Sequence, residues 1–363
     1  MYNVMVAGAG KIGSVIALLL SGSGDYQVYL VDKDFKSPES TRLDKMSHKI
    51  ERVILDIEDT AQVVQYVQEK SIQAIISSLP YFLSPACARV AFEAHIHYLD
   101  LTEDVTVTRA VKKMATHSDV AFVPQCGLAP GFISIVAHSL MQTFEICHTA
   151  KLRVGALPQR VSNPLLYALT WSTDGLLNQY ANVCYGIAFG EIVTLEPLRD
   201  LERIELDGCT YEAFNTSGGL GSLPLLYQKK INTLNYKTLR YPGHCEKMRF
   251  LMDSLQLNKD RKILKEILER VIPTTDDDVV IIYVSVEGRA NDRIYEKSYM
   301  KKIYPVRVSD IPCTAIQIST ASSACVILDL VLTQKEKYKG FIMQEDFKLS
   351  DFLGNRFGLY YAQ

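Results

Sequence analysis

The first 125 or so residues alternate short apolar runs with longer stretches in which apolar positions recur at helical spacing. The short runs are rich in valine and isoleucine, as buried strands are. In chain order they are VMVAG, VYLVD, ERVILD, AIISSL, HYLDL and VAFVPQ. Nearly continuous apolar strands separated by helices need cover on both faces, so this pattern predicts a parallel sheet between two layers of helices.

The pattern changes at about Lys151, where longer segments alternate polar and apolar positions. VVIIYVSVEGR and RIYEKSYMKKIYPVRV are two such segments, and they are typical of an antiparallel sheet with one solvated face. A late apolar helical segment, STASSACVILDLVLTQ, leads into GFIMQEDF. We therefore predict a first domain over residues 1–125, to which residues 320–363 return, and a second domain over residues 126–319.

Composition narrows the class of protein. The 363 residues are 48 % hydrophobic and 22 % charged, with a formal net charge of -2, which suits a globular chain of about two domains. No run reaches the roughly 18 apolar residues of a membrane span, and the chain opens on a strand pattern, so we expect no membrane partner and a cytoplasmic location. Lysine and arginine are too dispersed for a nucleic-acid surface.

Cysteine and histidine give no sign of a metal site. The eight cysteines form no CxxC pair, so we expect reduced and mostly buried thiols. His95 and His97 lie two apart in HIHYLDL, where the alternation of a strand would put both rings on one face. No cysteine or glutamate cluster near them completes a set of ligands, and no metal site is predicted.

Three glycines follow the first apolar run. Gly8, Gly10 and Gly13 form GxGxxG where a strand leads into a helix. In this motif the first glycine allows a tight turn, the second lets a pyrophosphate approach, and the third lets the helix pack on the strand. The free N–H groups and the positive end of the helix dipole then attract phosphates. A glycine-rich turn without a ligand is the alternative.

The residue that ends the next strand indicates which nucleotide is bound. Asp32 lies about 20 residues beyond Gly13, where a carboxylate accepts hydrogen bonds from the ribose hydroxyls and repels a 2′-phosphate. NAD is therefore predicted, and Lys33 beside the carboxylate leaves NADP possible. The first domain is predicted to be a Rossmann domain with a doubly wound parallel sheet. The fold class is α/β, with an α+β second domain for substrate binding and dimerisation.

Two further strand ends lie at the carboxyl edge of the predicted sheet, where open parallel sheets bind their ligands. Asp56 is the last residue of ERVILD and is placed to contact the adenine. The last four residues of AIISSLP, which begin at Ser77, are expected near the nicotinamide. The full set of predicted cofactor-binding residues is Gly8, Gly10, Lys11, Ile12, Gly13, Asp32, Lys33, Asp56, Ile57, Ser77, Ser78, Leu79 and Pro80.

A nicotinamide site needs a substrate that gives or accepts hydride. Asp100, at the end of HYLDL, can hold a substrate ammonium group or take a proton from it. Alternatively it caps the following helix, a role for which Thr102 is an equal candidate. The strand VAFVPQ delivers Gln125 and Cys126 just before GLAPGF. Cys126 either lines the substrate pocket or is a small buried thiol.

The order of these motifs resembles the saccharopine dehydrogenase family, and most closely its lysine 6-dehydrogenase branch. The resemblance spans nearly the whole chain, and its motifs are GAGKIG, SSLPYFLSPACARVAFEAHIHYLDL, QCGLAPGF, KLRVGALP, NPLLYALTWSTDGLLNQY, EAFNTSGGLGSLPLLY and TLRYPGHCEKMRFL. It implies an enzyme that oxidises a CH–NH bond of an amino acid with NAD or NADP. In that branch hydride removal from the carbon bearing the side-chain amine is followed by water attack, ammonia release and ring closure. A homodimer or homotetramer is also implied.

The resemblance also implies substrate-site residues. The family's contacts fall on Asp100, on Cys126 and on the loop from Gly127 to Gly131, which includes Leu128. Residues of the second domain would close the pocket, namely Trp171, Ser172, Ser217, Gly218, Gly219, Arg240 and His244. The planar fork of Arg240 suits a substrate carboxylate, or else it forms an ordinary ion pair. His244 is either the proton acceptor or a structural histidine in the turn.

One position departs from the pattern of the branch. Asn178 stands where an acidic residue is expected, and an amide binds a cationic amine less strongly than a carboxylate does, so lysine is not assigned as the substrate. Two other functions stay open. One is a reductase that condenses an amine with an aldehyde, as saccharopine and carboxynorspermidine enzymes do, and the other is a non-catalytic NAD-binding protein.

Overall fold

The structure is a computed structural model that describes residues 1–36 and 50–362. The described chain divides into two compact units. Unit 1 comprises Met1–Phe132, Arg307–Cys313 and Gln317–Gln363, and unit 2 comprises Ile133–Val306 and Thr314–Ile316. The first segment of unit 1 thus ends at Phe132, whereas the sequence pattern predicted a domain boundary after residue 125.

The secondary structure follows the predicted alternation in unit 1 and becomes strand-rich in unit 2. The strands are β1 (Tyr2–Ala7), β2 (Tyr26–Asp32), β3 (Ile50–Ile54), β4 (Ala74–Ser77), β5 (His97–Asp100), β6 (Ala121–Val123), β7 (Ile146–Pro158), β8 (Cys184–Ala188), β9 (Glu191–Leu195), β10 (Glu202–Leu206), β11 (Cys209–Asn215), β12 (Ile231–Arg240), β13 (Asp278–Ala290), β14 (Arg293–Ile303), β15 (Val306–Val308), β16 (Ile311–Cys313) and β17 (Gly340–Phe341). The α-helices are α1 (Gly13–Ser23), α2 (Thr60–Glu69), α3 (Ser84–Ala94), α4 (Val105–Ala115), α5 (Phe132–Met141), α6 (Thr173–Ala181), α7 (Leu223–Tyr227), α8 (His244–Arg249), α9 (Arg261–Val271), α10 (Ala315–Thr333), α11 (Leu349–Gly354) and α12 (Leu359–Ala362).

Unit 1 is built on a seven-stranded sheet with the order β17-β6-β5-β4-β1-β2-β3. Its pairs are parallel throughout. The six apolar runs became β1 to β6, which confirms the predicted doubly wound parallel sheet. The strand order reverses between β1 and β4, and ligands of such sheets bind in the crevice at this reversal. The C-terminal segment adds β17, a strand that the sequence pattern did not predict.

The core of unit 1 forms because the strands are apolar on both faces. Met5 of β1, Tyr29 of β2 and Ile75 of β4 pack with Val63 of α2 and Val90 of α3 on one face. Among the described helices, α10 is the one that is long and apolar enough to cross a membrane by length and composition, and 89 % of the apolar window is buried inside the protein. The expectation that no segment is long and apolar enough for a membrane span was therefore wrong, but most of α10 is packed inside the protein.

Unit 2 is built on a largely antiparallel sheet, as predicted. Its order is β10-β11-β12-β7-β13-β14, with β8 pairing with β12 and β9. β12 and β7 form a parallel pair. The alternation expected of β13 is not seen, since this strand is buried along most of its length. β13 is an interior strand paired with β7 and β14, whereas the edge strand β14 alternates exposed and half-buried residues over positions 294–299.

The two histidines of HIHYLDL do not share a strand face, which corrects the sequence-based expectation. His95 ends α3 in the left-handed conformation, with φ 54°. His97 lies in β5, where its buried ring accepts a hydrogen bond from the Ala121 N–H at 3.0 Å. Within residues 1–36 and 50–362, no group of three or more histidine, cysteine or acidic residues is placed to hold a metal ion.

Candidate functional site

The glycine turn between β1 and α1 leaves open space at its centre. Gly8 has a φ of +104°, and a Cβ on Gly13 would lie 1.8 Å from the Gly8 carbonyl oxygen, whereas a Cβ on Gly10 would meet no atom of residues 1–36 and 50–362 within 4 Å. Lys11 and Ile12 complete the turn, and α1 has no side-chain cap at its N-terminus. The described residues thus leave room for a phosphate to approach Gly10 at the uncapped first turn of the helix.

Acidic residues lie at or just after the ends of β2 and β3. Asp32 Oδ2 accepts a hydrogen bond from the Ala9 N–H at 2.6 Å, so the carboxylate lies directly against the glycine turn. Lys33 points away to Asp56 and Glu58, with N–O distances of 3.2 and 3.1 Å. The Glu58 backbone N–H, and then Lys33, lower the pKa of Asp56. Lys33 is thus shared by two carboxylates.

The residues after β4 divide between the turn and the interior. The Ser78 hydroxyl donates to the carbonyl oxygens of Ala7 at 3.2 Å and Gly8 at 3.0 Å, which fastens the end of β4 to the glycine turn. Ser77 and Ile57 are buried in the interior. The other two candidates of this run lie at the same edge, Leu79 half-buried and Pro80 exposed.

Asp100 is fully buried, and both of its oxygens are hydrogen-bonded. Oδ1 accepts from the backbone N–H groups of Thr102 at 3.0 Å and Gln125 at 2.9 Å, and Oδ2 accepts from the Tyr98 hydroxyl at 2.7 Å. Burial raises the pKa of Asp100 to about 6, against the effect of these hydrogen bonds. The cap of α4 is Asp104, so the expectation that Asp100 or Thr102 caps this helix was wrong.

Cys126 lies in the interior beside Asp100. Its backbone N–H donates to the Asp100 carbonyl oxygen at 2.7 Å, and its thiol donates to the last carbonyl oxygen of β6 at 3.0 Å. Burial raises the pKa of the thiol well above its usual range, so the group is protonated. Cys126 has no exposed surface.

Two residues from the C-terminal part of the chain hold the loop that follows. Gln344 donates to the Pro124 carbonyl oxygen at 2.8 Å, and Ser323 of α10 donates to the Gly127 carbonyl oxygen at 2.8 Å. Leu128, the next residue, is also buried. The sequence analysis missed Gln344 and Ser323, since no local motif links them to a loop about 200 residues earlier.

In unit 2, Arg240 at the end of β12 has a buried guanidinium group. Nε donates to the Tyr180 hydroxyl at 2.9 Å, and Nη1 donates to Thr238 Oγ1 at 2.9 Å and to the Leu239 carbonyl oxygen at 2.8 Å. The guanidinium carbon lies 4.8 Å from the centre of the Tyr167 ring. Over the described part of the chain, Arg240 forms no ion pair with a carboxylate.

His244 is the first residue of α8 and has no exposed surface. Nδ1 lies 2.7 Å from the Leu165 carbonyl oxygen, and Nε2 lies 3.0 Å from the Tyr180 hydroxyl. A carbonyl oxygen only accepts, so Nδ1 carries the proton and Nε2 accepts from the hydroxyl. Burial, and then the charge of Arg240, lower the pKa of His244 to about 3, and the ring is neutral.

Trp171 and Ser172 lie at the start of α6. Ser172 is the N-cap of this helix, and its hydroxyl oxygen accepts from the Gly175 N–H at 3.2 Å. The Trp171 indole N–H donates to the Tyr167 hydroxyl at 3.2 Å. Since the Tyr167 ring lies against the guanidinium of Arg240, this tryptophan belongs to the same cluster.

The segment that begins at Ser217 packs against the same helix and the same strand. The Ser217 hydroxyl donates to the Asn178 carbonyl oxygen of α6 at 3.2 Å. Gly218 has a φ of +87°, and a Cβ on Gly219 would lie 2.4 Å from the ring of Tyr236 in β12. The structure thus gathers the second-domain candidates around α6 and the end of β12. The analysis missed Tyr167 and Tyr180, although both lie in the quoted motif NPLLYALTWSTDGLLNQY.

The fold and the glycine turn define a two-unit α/β protein with a Rossmann-type nucleotide-binding unit and a second unit on a mixed sheet. One family model, described as "Saccharopine dehydrogenase NADP binding domain", matches residues 4–121. Another, described as "Saccharopine dehydrogenase C-terminal domain", matches residues 127–355. The chain belongs to the saccharopine dehydrogenase family.

Curated relatives and solved structures agree with this assignment. Mouse mitochondrial alpha-aminoadipic semialdehyde synthase is 23 % identical over 262 residues, which cover 67 % of this chain and 27 % of that protein. The chain therefore spans about a quarter of the length of such relatives. The rat protein is 22 % identical over 267 residues, with the same coverage.

Solved structures support the fold. The apo, histidine-tagged saccharopine dehydrogenase (L-Glu forming) from Saccharomyces cerevisiae has a TM-score of 0.77 at 16 % identity, over 95 % of this chain and 94 % of that one. DAP dehydrogenase of C. glutamicum has a TM-score of 0.50 at 10 % identity, over 100 % of this chain and 98 % of that one. At these identities the likeness concerns the fold alone.

Proposed function

We propose that this chain is a nicotinamide-dependent oxidoreductase that acts on the CH–NH bond of an amino acid, with the lysine 6-dehydrogenase type of oxidative deamination as its reaction. The open space at Gly10, in front of an uncapped helix, carries the proposal, because a nucleotide diphosphate fits there. Membership of the saccharopine dehydrogenase family supports the amino-acid substrate. Arg240 of unit 2 is buried and has no carboxylate partner within residues 1–36 and 50–362, which supports a substrate that carries a carboxylate.

Each group of residues has a role in this proposal. The glycine turn would hold the diphosphate and Asp32 the ribose hydroxyls, and the bound nicotinamide would accept the hydride. Asp100 would hold the backbone at Gln125 in shape at the carboxyl edge of the sheet. Arg240 of unit 2 would bind the substrate carboxylate. Water attack on the resulting imine would then release ammonia.

The direct test supplies the full chain with NAD⁺ or NADP⁺ and a panel of mono- and diamino acids, and follows formation of the reduced nicotinamide and of ammonia. We expect both products to form in equal amounts with at least one amino acid. Consumption of NADPH only when an amine and an aldehyde are supplied together would replace this proposal with the condensing reductase. Nucleotide binding without turnover in either direction would indicate a non-catalytic NAD-binding protein.

We further propose NAD as the preferred cofactor. Asp32 lies against the glycine turn, and Lys33 is engaged by Asp56 and Glu58, so the Asp32 carboxylate would repel a 2′-phosphate at the ribose. We expect calorimetry to show tighter binding of NAD⁺ than of NADP⁺, and Asp32→Ser to reduce the difference. Tighter binding of NADP⁺ by the unmodified chain would contradict this preference and leave the proposed reaction untouched.

A further inference from the structure

Strand β12 has buried cations on both of its faces, and among the described residues a carboxylate forms ion pairs on only one of these faces. Lys237 Nζ and Arg153 Nε both bind Glu202, at 3.0 and 2.5 Å. Arg240 lies three residues beyond Lys237 and thus points to the opposite face. There it is 2 % exposed and has no ion-pair partner among the described residues. An isolated buried charge is strongly unfavourable, so an anion from outside the chain is expected to complete this site.

The carboxylate placed to neutralise Arg240 is used elsewhere. Glu212 of β11 is the register partner of Arg240 and is buried. Its two oxygens accept from the backbone N–H groups of Gly243 at 2.7 Å and Cys245 at 2.5 Å, at the start of α8. The helix therefore takes up both oxygens of this carboxylate, and the guanidinium is left for another anion.

The hydrogen bonds around the guanidinium fix its direction. Nε and Nη1 are occupied, and Nη2 has no hydrogen-bond partner among the described residues. Nη2 also keeps some solvent-accessible surface. Tyr180 sets this geometry, because its hydroxyl proton goes to His244 Nε2 and its lone pair is left for Arg240 Nε. If the Tyr180 hydroxyl directed its proton at Arg240 Nε instead, two hydrogen-bond donors would face each other.

We propose that Tyr180, with its hydroxyl oriented by His244, positions Arg240 as the receptor for one carboxylate group. Tyr180 and His244 are then positioning residues, and the Tyr167 ring supports the guanidinium from its face. One free guanidinium nitrogen suits the single charge of a carboxylate better than a phosphate dianion, which needs several donors. The identity of the ligand as an amino-acid carboxylate rests on the proposed function.

The chain provides its own reporter for this receptor. It contains one tryptophan, Trp171, which is hydrogen-bonded to Tyr167 beside the guanidinium. Binding can thus be followed by fluorescence titration without turnover, with and without NAD⁺. The probe is L-norleucine, and n-pentylamine is its matched control because it lacks only the carboxylate. We expect a saturable change with norleucine and none with pentylamine.

Variants separate the receptor from general stability. Tyr180→Phe keeps the ring and removes the hydrogen bond to a charged group, so the Kd for norleucine should rise about 10-fold. Arg240→Met should abolish the saturable change. Tyr361→Phe is the control, because it removes a buried hydroxyl bonded to the Ser319 carbonyl oxygen in unit 1, and it should bind norleucine as the unmodified chain does. If Tyr180→Phe fails to fold, His244→Gln tests the same chain of hydrogen bonds and should also raise the Kd.

Several results would overturn the receptor. They are an unchanged Kd in a folded Tyr180→Phe or His244→Gln variant, an equal response to pentylamine, and the absence of any norleucine response in the unmodified chain. The failure of the proposed function looks different, since norleucine would bind through Arg240 while no amino acid yields reduced nicotinamide. Turnover that survives Arg240→Met with unchanged KM would remove the receptor and keep the oxidoreductase.

Discussion

At the scale of the residue, the role of an acidic side chain depends on what its oxygens already bind. Asp32 and Asp100 both end parallel strands, and the sequence placed both at the ligand edge of the sheet. Asp32 lies at the glycine turn and binds a backbone N–H there. Asp100 is enclosed, with both oxygens bonded to protein. The first is thus placed to meet a nucleotide, and the second holds the backbone beside it.

The buried histidine of β5 gives a pH dependence whose sign follows from its environment. Burial, and then Lys335, lower the pKa of His97 to about 4, from about 6.5 in an unfolded chain. The neutral ring stabilises the fold fully above pH 6.5, and this contribution is lost as the pH falls towards 4. His97→Asn keeps an acceptor for the Ala121 N–H and removes the titration. We expect the unmodified chain to lose about 2 kcal/mol more than the variant between pH 6.5 and 4.5.

Urea-induced unfolding at the two pH values measures this difference. Asp100 and Asp278, whose pKa values burial raises to about 6, act in the opposite direction, because their stabilising protonated forms are lost as the pH rises. Both carboxyl groups are present in both proteins, so their effect cancels in the comparison. Equal pH dependence in the two proteins would show that His97 is not held neutral.

At the scale of the element, two glycines of the turn between β1 and α1 have different roles. Gly13 is required by close packing within the protein, whereas Gly10 faces open space. Gly13→Ala would place a methyl group in contact with the Gly8 carbonyl oxygen, and we expect it to cost about 3 kcal/mol of stability or to prevent folding. Gly10→Ala meets no atom of the described part of the chain within 4 Å. It should leave the free energy of unfolding within about 1 kcal/mol and weaken nucleotide binding at least about 10-fold, because the methyl group occupies the phosphate position.

Thermal unfolding and calorimetry with NAD⁺ on the two variants check this pair. A Gly10→Ala chain that binds nucleotide with unchanged affinity would show that no phosphate approaches the turn. A Gly13→Ala chain of unchanged stability would show that the helix can move away from the strand.

At the scale of the whole molecule, the C-terminal segment is part of the first unit. Asp329 of α10 is nearly buried, and its carboxylate accepts from the Tyr26 hydroxyl at 2.6 Å, from Arg356 Nη2 at 2.7 Å and from Asn355 Nδ2 at 2.7 Å. β2, α10 and the last residues of the chain thus meet at one carboxylate. The return at Gly340–Phe341 extends the same sheet with β17.

We expect Asp329→Ala to lower the free energy of unfolding by about 3 kcal/mol, because it leaves the Tyr26 hydroxyl and the Asn355 amide without this acceptor and removes one of the two carboxylates that bind Arg356. Glu336→Ala, on the same segment, breaks an exposed ion pair with Lys339 and should change nothing measurable. Urea-induced unfolding of the two variants makes the comparison. Equal stability of both would mean that the C-terminal return is not anchored at Asp329.

Much of this architecture could be predicted because it depends on patterns of residues that are close together in the sequence. The apolar runs of unit 1 are short and bounded by turn residues, so β1 to β6 follow from spacing alone, and so does the parallel sheet. The glycine motif fixes the turn at Gly8 because few other residues adopt a positive φ. The same local reasoning failed at His95, where a helix end and a strand overlap in one apolar run, and at β13, where burial on both faces removes the alternation.

The sequence by itself determined the two kinds of sheet, the nucleotide turn and the family, because each depends on the spacing of residues close together along the chain. Only the tertiary structure decided which polar groups have partners within the protein. Asp100 and Glu212 accept hydrogen bonds from backbone N–H groups, and Arg240 donates to Tyr180, whose hydroxyl is bonded to His244. These partners come from separate strands and helices, and hydrogen bonds between distant segments leave no periodic signal in the sequence.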